Sequence, residues 1–200
     1  MMKILCSPTS PYSAKVRMAA RHLGFRYMEV MVDTVAGPAE LTDNNPLGKI
    51  PVLLHGKDKA VYDSRAIMQF LNRKSDGKLY PEKDRKRTEA EILEALADGI
   101  CDCLLAIVYE KRMRPEEKQH APWTERQWEK ARRALDMLEK NPPKIGKRLH
   151  GGHFALAATL GYLGLRFAGQ WEEDHPKLVA WALEFADRFP HYGAMKPQQP

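Results

Sequence analysis

The 200-residue sequence predicts an α/β domain followed by an all-helical one, and three observations carry that reading. The opening stretch alternates a short apolar strand, a helix with one apolar face and a second strand. A polar run bearing proline and glycine, Ser75 to Arg87, breaks the composition and reads as a linker. Beyond it, apolar residues recur at helical spacing. The boundaries that follow are a first unit over residues 1–78 and a second over 86–200.

In the first unit, Lys3 to Cys6 reads as a strand. Ser7-Pro8-Thr9-Ser10-Pro11 is a turn ending in a helix start, with Ser10 as N-cap and Pro11 at the first helical position. Val16, Ala19, Ala20 and Leu23 form the apolar face, and Gly24 is the stop. Arg26 to Val32 is a second strand, and a weak helix lies near Pro38 to Thr42. Ile50-Pro51-Val52 then opens a buried strand. A proline cannot donate to a strand ladder, so Pro51 belongs at the strand's first position. There it can hold a cis bond and turn the Ile50 backbone outward, toward a peptide-like ligand. His55-Gly56-Lys57-Asp58 makes a turn, and Lys59 to Tyr62 returns antiparallel. Asp63 and Ser64 precede the helical period of Ile67, Phe70 and Leu71. Such residues cap helices, and they can also hold an ammonium and a carboxylate. The order β-α-β, hairpin, helix matches a thioredoxin-like domain.

In the second unit, Ile92, Leu96, Ile100, Leu104 and Val108 repeat at four-residue spacing, which predicts one buried face on a long helix. Asp98 and Asp102 lie one turn apart on it; helix acids are commonly solvated. Thr124 and Gln127 read as a capping box with Trp123 and Trp128 as its hydrophobic staple. The helix that follows buries Ala131, Leu135 and Leu138 and ends at Asn141-Pro142-Pro143. Pro176 opens a last helix with Leu178, Trp181, Phe185 and Phe189 facing inward.

Composition narrows the function. The net charge of +6 raises nucleic acid as a partner, but the basic clusters at 83–87, 111–114 and 144–148 are scattered, and no nucleic-acid module accompanies them. A mildly basic surface favours anionic small molecules instead. The apolar start Ile4-Leu5-Cys6 stops at once, and the run Phe154 to Leu165 is too short to span a bilayer, so neither a signal peptide nor a membrane anchor is expected. Three cysteines, Cys6, Cys101 and Cys103, make no disulfide framework and suggest a reducing, cytoplasmic setting. His150 and His153 have a metal-like spacing but lack a third ligand, so no metal is expected.

The segment Asn45 to Ala66 resembles the glutathione-binding stretch of the cytosolic glutathione transferases, and the resemblance covers nearly the whole chain. It implies that the backbone of Ile50, before the cis-proline Pro51, pairs with the cysteinyl part of glutathione. By the same resemblance Lys49 joins this binding set, and Asp63 and Ser64 grip the γ-glutamyl end. Ser10-Pro11-Tyr12-Ser13 stands where glutaredoxins carry Cys-Pro-Tyr-Cys. A hydroxyl cannot form a mixed disulfide, so dithiol exchange is excluded at this motif. The motif is similar to that of the bacterial serine-type transferases, which makes Ser10 the catalytic residue, a hydrogen-bond donor to the glutathione thiolate. Capping competes for the same hydroxyl. Leu105, Tyr109 and Met113 are candidates for lining the acceptor pocket. The resemblance further implies a homodimer, a small electrophile as second substrate, glutathione as co-substrate with no other cofactor, and an acid near Asp98 or Asp102 that can reach the neighbouring subunit's glutathione. Two other functions fit the same fold: a non-catalytic binding protein, and a glutathione-dependent thiol reductase or peroxidase using Cys6.

One departure stands out. Transferases begin their central buried helix with a Ser/Thr-x-x-Asp capping box; here His150 and His153 occupy those places, around Gly151-Gly152. A lost cap costs about 0.5–2 kcal/mol and each helical glycine roughly 1 kcal/mol, so a less stable second domain is expected.

Overall fold

The computed structural model describes residues 1–56 and 59–199. Strands β1 (Met2–Cys6), β2 (Tyr27–Met31), β3 (Val52–His55) and β4 (Lys59–Val61) form one sheet in the order β2-β1-β3-β4. β1 pairs parallel to β2, while β1 with β3 and β3 with β4 are antiparallel. Helices α1 (Pro11–His22), α2 (Ala39–Thr42) and α3 (Ser64–Lys74) complete a thioredoxin-like unit. Of the expected turn between β3 and β4, Lys57 and Asp58 lie outside the described residues.

Period-two alternation gives the sheet two faces. Ile4, Cys6 and Leu53 look toward α1 and α3, whereas Leu5 and Val52 look the other way, onto Leu41 of α2. The first face continues without a break into the helical half: α4 (Asp84–Met113), α5 (Ala121–Lys140), α6 (Gly151–Arg166), α7 (Pro176–Arg188) and α8 (Tyr192–Met195). α6 is buried along residues 151–163 and packs on both α4 and α1. The two halves therefore share one core. α4 begins at Asp84, so the last four residues of the expected linker are helical.

Three other expectations need correction. On α4 the buried stripe is Ala90, Leu93, Ala97, Ile100, Leu104 and Ile107, and Ile92 is 61% exposed. A strict four-residue row drifts about 40° per step on a helix of 3.6 residues per turn, so it winds off the buried face. α5 starts three residues before the expected cap. Pro122 supplies the fixed φ of a first turn, the Glu110 carboxylate accepts the His120 N–H at 3.0 Å, and the Thr124 hydroxyl donates back to the Ala121 carbonyl. Trp123 lies within the first turn of α5 and Trp128 stacks on Phe167, so the expected staple across the helix start does not form. Finally, α7 is followed by the short α8.

The start of α6 explains its unusual sequence. A Cβ on Gly151 would stand 2.6 Å from the Tyr80 ring, and one on Gly152 would stand 2.6 Å from the Ala90 carbonyl. Only glycines let α6 approach α4 and Tyr80 this closely, so the two residues are a packing requirement and not simply a cost. Half of a capping box survives: the His150 N–H donates to His153 Nδ1 at 3.2 Å, and His153 Nε2 reaches the Lys144 carbonyl at 3.2 Å. The second contact fixes the neutral tautomer with its proton on Nε2. His150 Nδ1 is buried without a partner, and the two rings stack with centroids 3.6 Å apart.

Burial pushes the His150 pKa down to about 4, and burial together with the neighbouring His150 pushes His153 down to about 3. Unfolded histidines take up protons near pH 6.5. Below that value the unfolded state binds more protons, so stability is complete at neutral pH and falls as pH drops toward 4 and 3. The expected loss is roughly 1–2 kcal/mol per ring between about pH 7 and about pH 5. Urea unfolding at those two pH values measures it. His150→Ser with His153→Gln, a Ser-x-x-Gln capping box whose amide can still donate to Lys144, should flatten the slope. An equal slope in that variant would place the pH dependence elsewhere.

Candidate functional site

One cavity of about 900 Å³ opens between the two halves. Its walls include Ser10, Lys49, Ile50, Pro51, Asp63 and Ser64, so all six residues expected from the sequence face one space. Leu105, Tyr109 and Met113 line it from α4.

Ser10 lies before α1 with extended backbone, and its Oγ accepts the Ser13 N–H at 3.1 Å. Capping uses a lone pair. The hydroxyl proton remains available to donate, so cap and donor do not compete as the sequence alone suggests. Tyr12, beside it, is otherwise committed: its hydroxyl donates to Asp102, and burial with nearby carboxylates holds its pKa far above the ordinary tyrosine value. Ser13 is fully buried and does not line the cavity.

The Ile50–Pro51 bond is cis, as the strand-initiating proline allowed. β3 starts at Val52, which leaves the Ile50 N–H and C=O outside the ladder. Buried Asn45 shapes this loop by donating to the Lys49 carbonyl at 2.8 Å and accepting the Leu47 N–H at 3.1 Å. Asp63 caps α3 with one carboxylate oxygen, which accepts the Arg65 and Ala66 N–H groups, and so leaves the other for a ligand. Ser64, at the first position of α3, is 4% exposed and lines the cavity beside the helix N-terminus. That pairing of hydroxyl and helix end suits a carboxylate.

Behind the cavity sits a charged group that sequence reading missed. Lys15 on α1 is 1% exposed and donates to Glu94 at 3.1 Å and to both oxygens of Asp98 at 2.8 and 2.9 Å. The Tyr80 hydroxyl donates to the other Glu94 oxygen, and Arg65 Nε donates to Asp98 at 2.9 Å. Asp98 is thus a buried partner of two cations and not a solvated acid, while Asp102 is exposed and lines the cavity. A signal was present: Lys15 lies one turn before Ala19 on the apolar stripe, and Glu94 and Asp98 each adjoin a residue of the buried stripe of α4.

The cysteines offer no nucleophile at this site. Burial raises the Cys6 pKa to about 11 and that of Cys101 to about 12, and it raises Cys103 as well. None lines the cavity. Among the described residues, no cluster of His, Cys, Asp and Glu is placed to hold a metal ion, and no helix is long and apolar enough to cross a membrane.

The glutathione S-transferase N-terminal domain model matches residues 6–79 and the C-terminal domain model matches residues 121–183. The uncharacterized GST-like protein YibF of Escherichia coli is 31% identical over 186 residues, which cover 89% of this chain and 90% of that one. A glutathione S-transferase of Methylobacterium radiotolerans, crystallised with glutathione sulfonate, superposes with a TM-score of 0.91 at 30% identity, covering 100% of this chain and 96% of the other. A glutathione transferase family member of Pseudomonas fluorescens with bound glutathione gives 0.89 at 33% identity and full coverage of both chains. The chain belongs to the glutathione S-transferase family.

Proposed function

We propose that the protein is a glutathione transferase of the serine type. Glutathione lies along the first half of the cavity: its cysteinyl backbone pairs with Ile50 ahead of cis-Pro51, its γ-glutamyl ammonium and carboxylate meet Asp63 and Ser64, and Lys49 attracts its remaining carboxylate. The Ser10 hydroxyl and the N-terminus of α1 hold the sulfur as a thiolate. The sulfur attacks an electrophilic carbon held between Leu105, Tyr109 and Met113, the leaving group departs with its electron pair, and the thiol proton goes to solvent. Glutathione is a co-substrate, and no cofactor is invoked. The observation that carries this reading is that Ser10, whose Oγ is engaged as a hydrogen-bond acceptor from Ser13, lines the same cavity as Ile50, Asp63 and Ser64.

The same reading makes residues 1–78 the glutathione-binding unit and 86–200 the acceptor-binding one, in a cytoplasmic homodimer serving detoxification.

Asp63→Asn and Ser64→Ala are each expected to raise the KM for glutathione about tenfold or more while leaving kcat within a fewfold, since both hold a part of the substrate that does not react. Initial rates with varied glutathione measure this, and light scattering on the same samples tests the dimer. A fall in kcat at constant KM would move the site elsewhere.

A further inference from the structure

Two arginines line the helical half of the cavity without a direct ion-pair partner among the described residues. Arg112, in the last turn of α4, and Arg166, the last residue of α6, both line it. Neither guanidinium has a carboxylate or other hydrogen-bond acceptor among the described residues. Arg112 lies over the Tyr109 ring, 5.9 Å from its centroid, and Arg166 Nε is buried with no partner. None of the acids that line the same cavity pairs with either arginine among the described residues. Asp33 accepts the Val35 N–H, Asp63 caps α3, Asp98 holds Lys15 and Arg65, and Asp102 takes the Tyr12 hydroxyl.

Tyr162 adds a third donor. It lines the cavity one turn before Arg166, and burial, opposed by both arginines, pushes its pKa up to about 12. Its hydroxyl therefore keeps its proton at neutral pH. This end of the cavity offers two guanidinium groups and a phenol, walled by aromatic and aliphatic side chains. A guanidinium fork matches a carboxylate in shape as well as charge.

We propose that the acceptor substrate is an electrophile carrying a carboxylate, which Arg112 and Arg166 grip while its reactive carbon lies toward Ser10. This rests on the transferase reading and names the substrate class. Arg112 is about 15 Å along α4 from Asp102, and long helical side chains lean back toward the N-terminus, which shortens the reach from its guanidinium to the Ser10 end of the cavity. The plain alternative for Arg166 is that it complements the C-terminal end of the α6 dipole. That role would affect stability and leave substrate preference alone.

The probe is para-chloro-meta-nitrobenzoate, compared with its primary amide. In either reaction the thiolate sulfur bonds to the ring carbon bearing chlorine, chloride leaves with the bonding pair, and the thiol proton passes to solvent. The ratio of kcat/KM for carboxylate over amide should fall roughly tenfold or more in Arg166→Gln and in Arg112→Gln, and recover partly in Arg166→Lys. A ratio unmoved in both glutamine variants overturns the proposal. Calorimetric binding of unreactive meta-nitrobenzoate to the full chain separates this inference from the one beneath it. Binding that weakens in the glutamine variants, with neither chloride conjugated, would sink the transferase reading and keep the anion site. Conjugation of the amide without arginine-dependent binding of meta-nitrobenzoate would do the reverse.

Discussion

Ser10→Ala is expected to slow conjugation at neutral pH by roughly tenfold while glutathione affinity stays nearly constant. A free thiol ionises near pH 8.5. If the hydroxyl and the α1 N-terminus lower that by one or two decades of proton affinity, removing the hydroxyl returns most of the bound sulfur to the thiol form. In the proposed binding mode Ser10 meets only the sulfur, so binding should hold. The variant also loses the acceptor for the Ser13 N–H, which costs about 1 kcal/mol of stability. Ser10→Asp separates the two roles, because an ionised carboxylate caps the helix but cannot donate a proton. It should melt near the parent temperature and still be slow. Parent-level rates in the alanine variant would leave Ser10 as a cap alone.

The largest expected stability effect lies behind the site. Lys15→Met should destabilise the fold by about 3–5 kcal/mol, since it leaves Glu94 and Asp98 buried with only Arg65 and Tyr80 to satisfy them. The same group joins α1 and α3 to α4, so the loss should also loosen the cavity between the halves and raise the KM for glutathione. Adding Glu94→Gln and Asp98→Asn to Lys15→Met removes the stranded charges and should recover part of the stability. Denaturant unfolding of the parent, single and triple variants checks both statements. A single variant within 1 kcal/mol of the parent would show that water reaches these carboxylates.

Local signals made the first half legible. Ser10-Pro11 and Asp63-Ser64 announce helix starts because a cap is a short-range device, and Pro51 announces a strand start because it lacks an N–H. The roles given to those residues came from the family resemblance, and the fold gathers them around one cavity. The reading erred where an outcome depends on distant partners. Lys15, Glu94 and Asp98 are spread over 84 positions, and nothing local in the sequence shows that they meet. Thr124 loses the cap of α5 because Glu110, on another helix, receives the His120 N–H. Gly151 and Gly152 look like defects until Tyr80 and Ala90 are placed against them. Cap and ligand contact looked like rivals at Ser10 and Asp63 because a sequence does not show which atom of a side chain is used.

The central claim is that this cavity binds glutathione and ionises its thiol. Titrating the ultraviolet absorbance of the glutathione complex against pH tests both parts at once, because only the thiolate contributes the band. The account predicts saturable binding with the bound thiol ionising about one to two pH units below the free value of about 8.5. Glutathione that binds but titrates at the free value, or fails to bind, would contradict it.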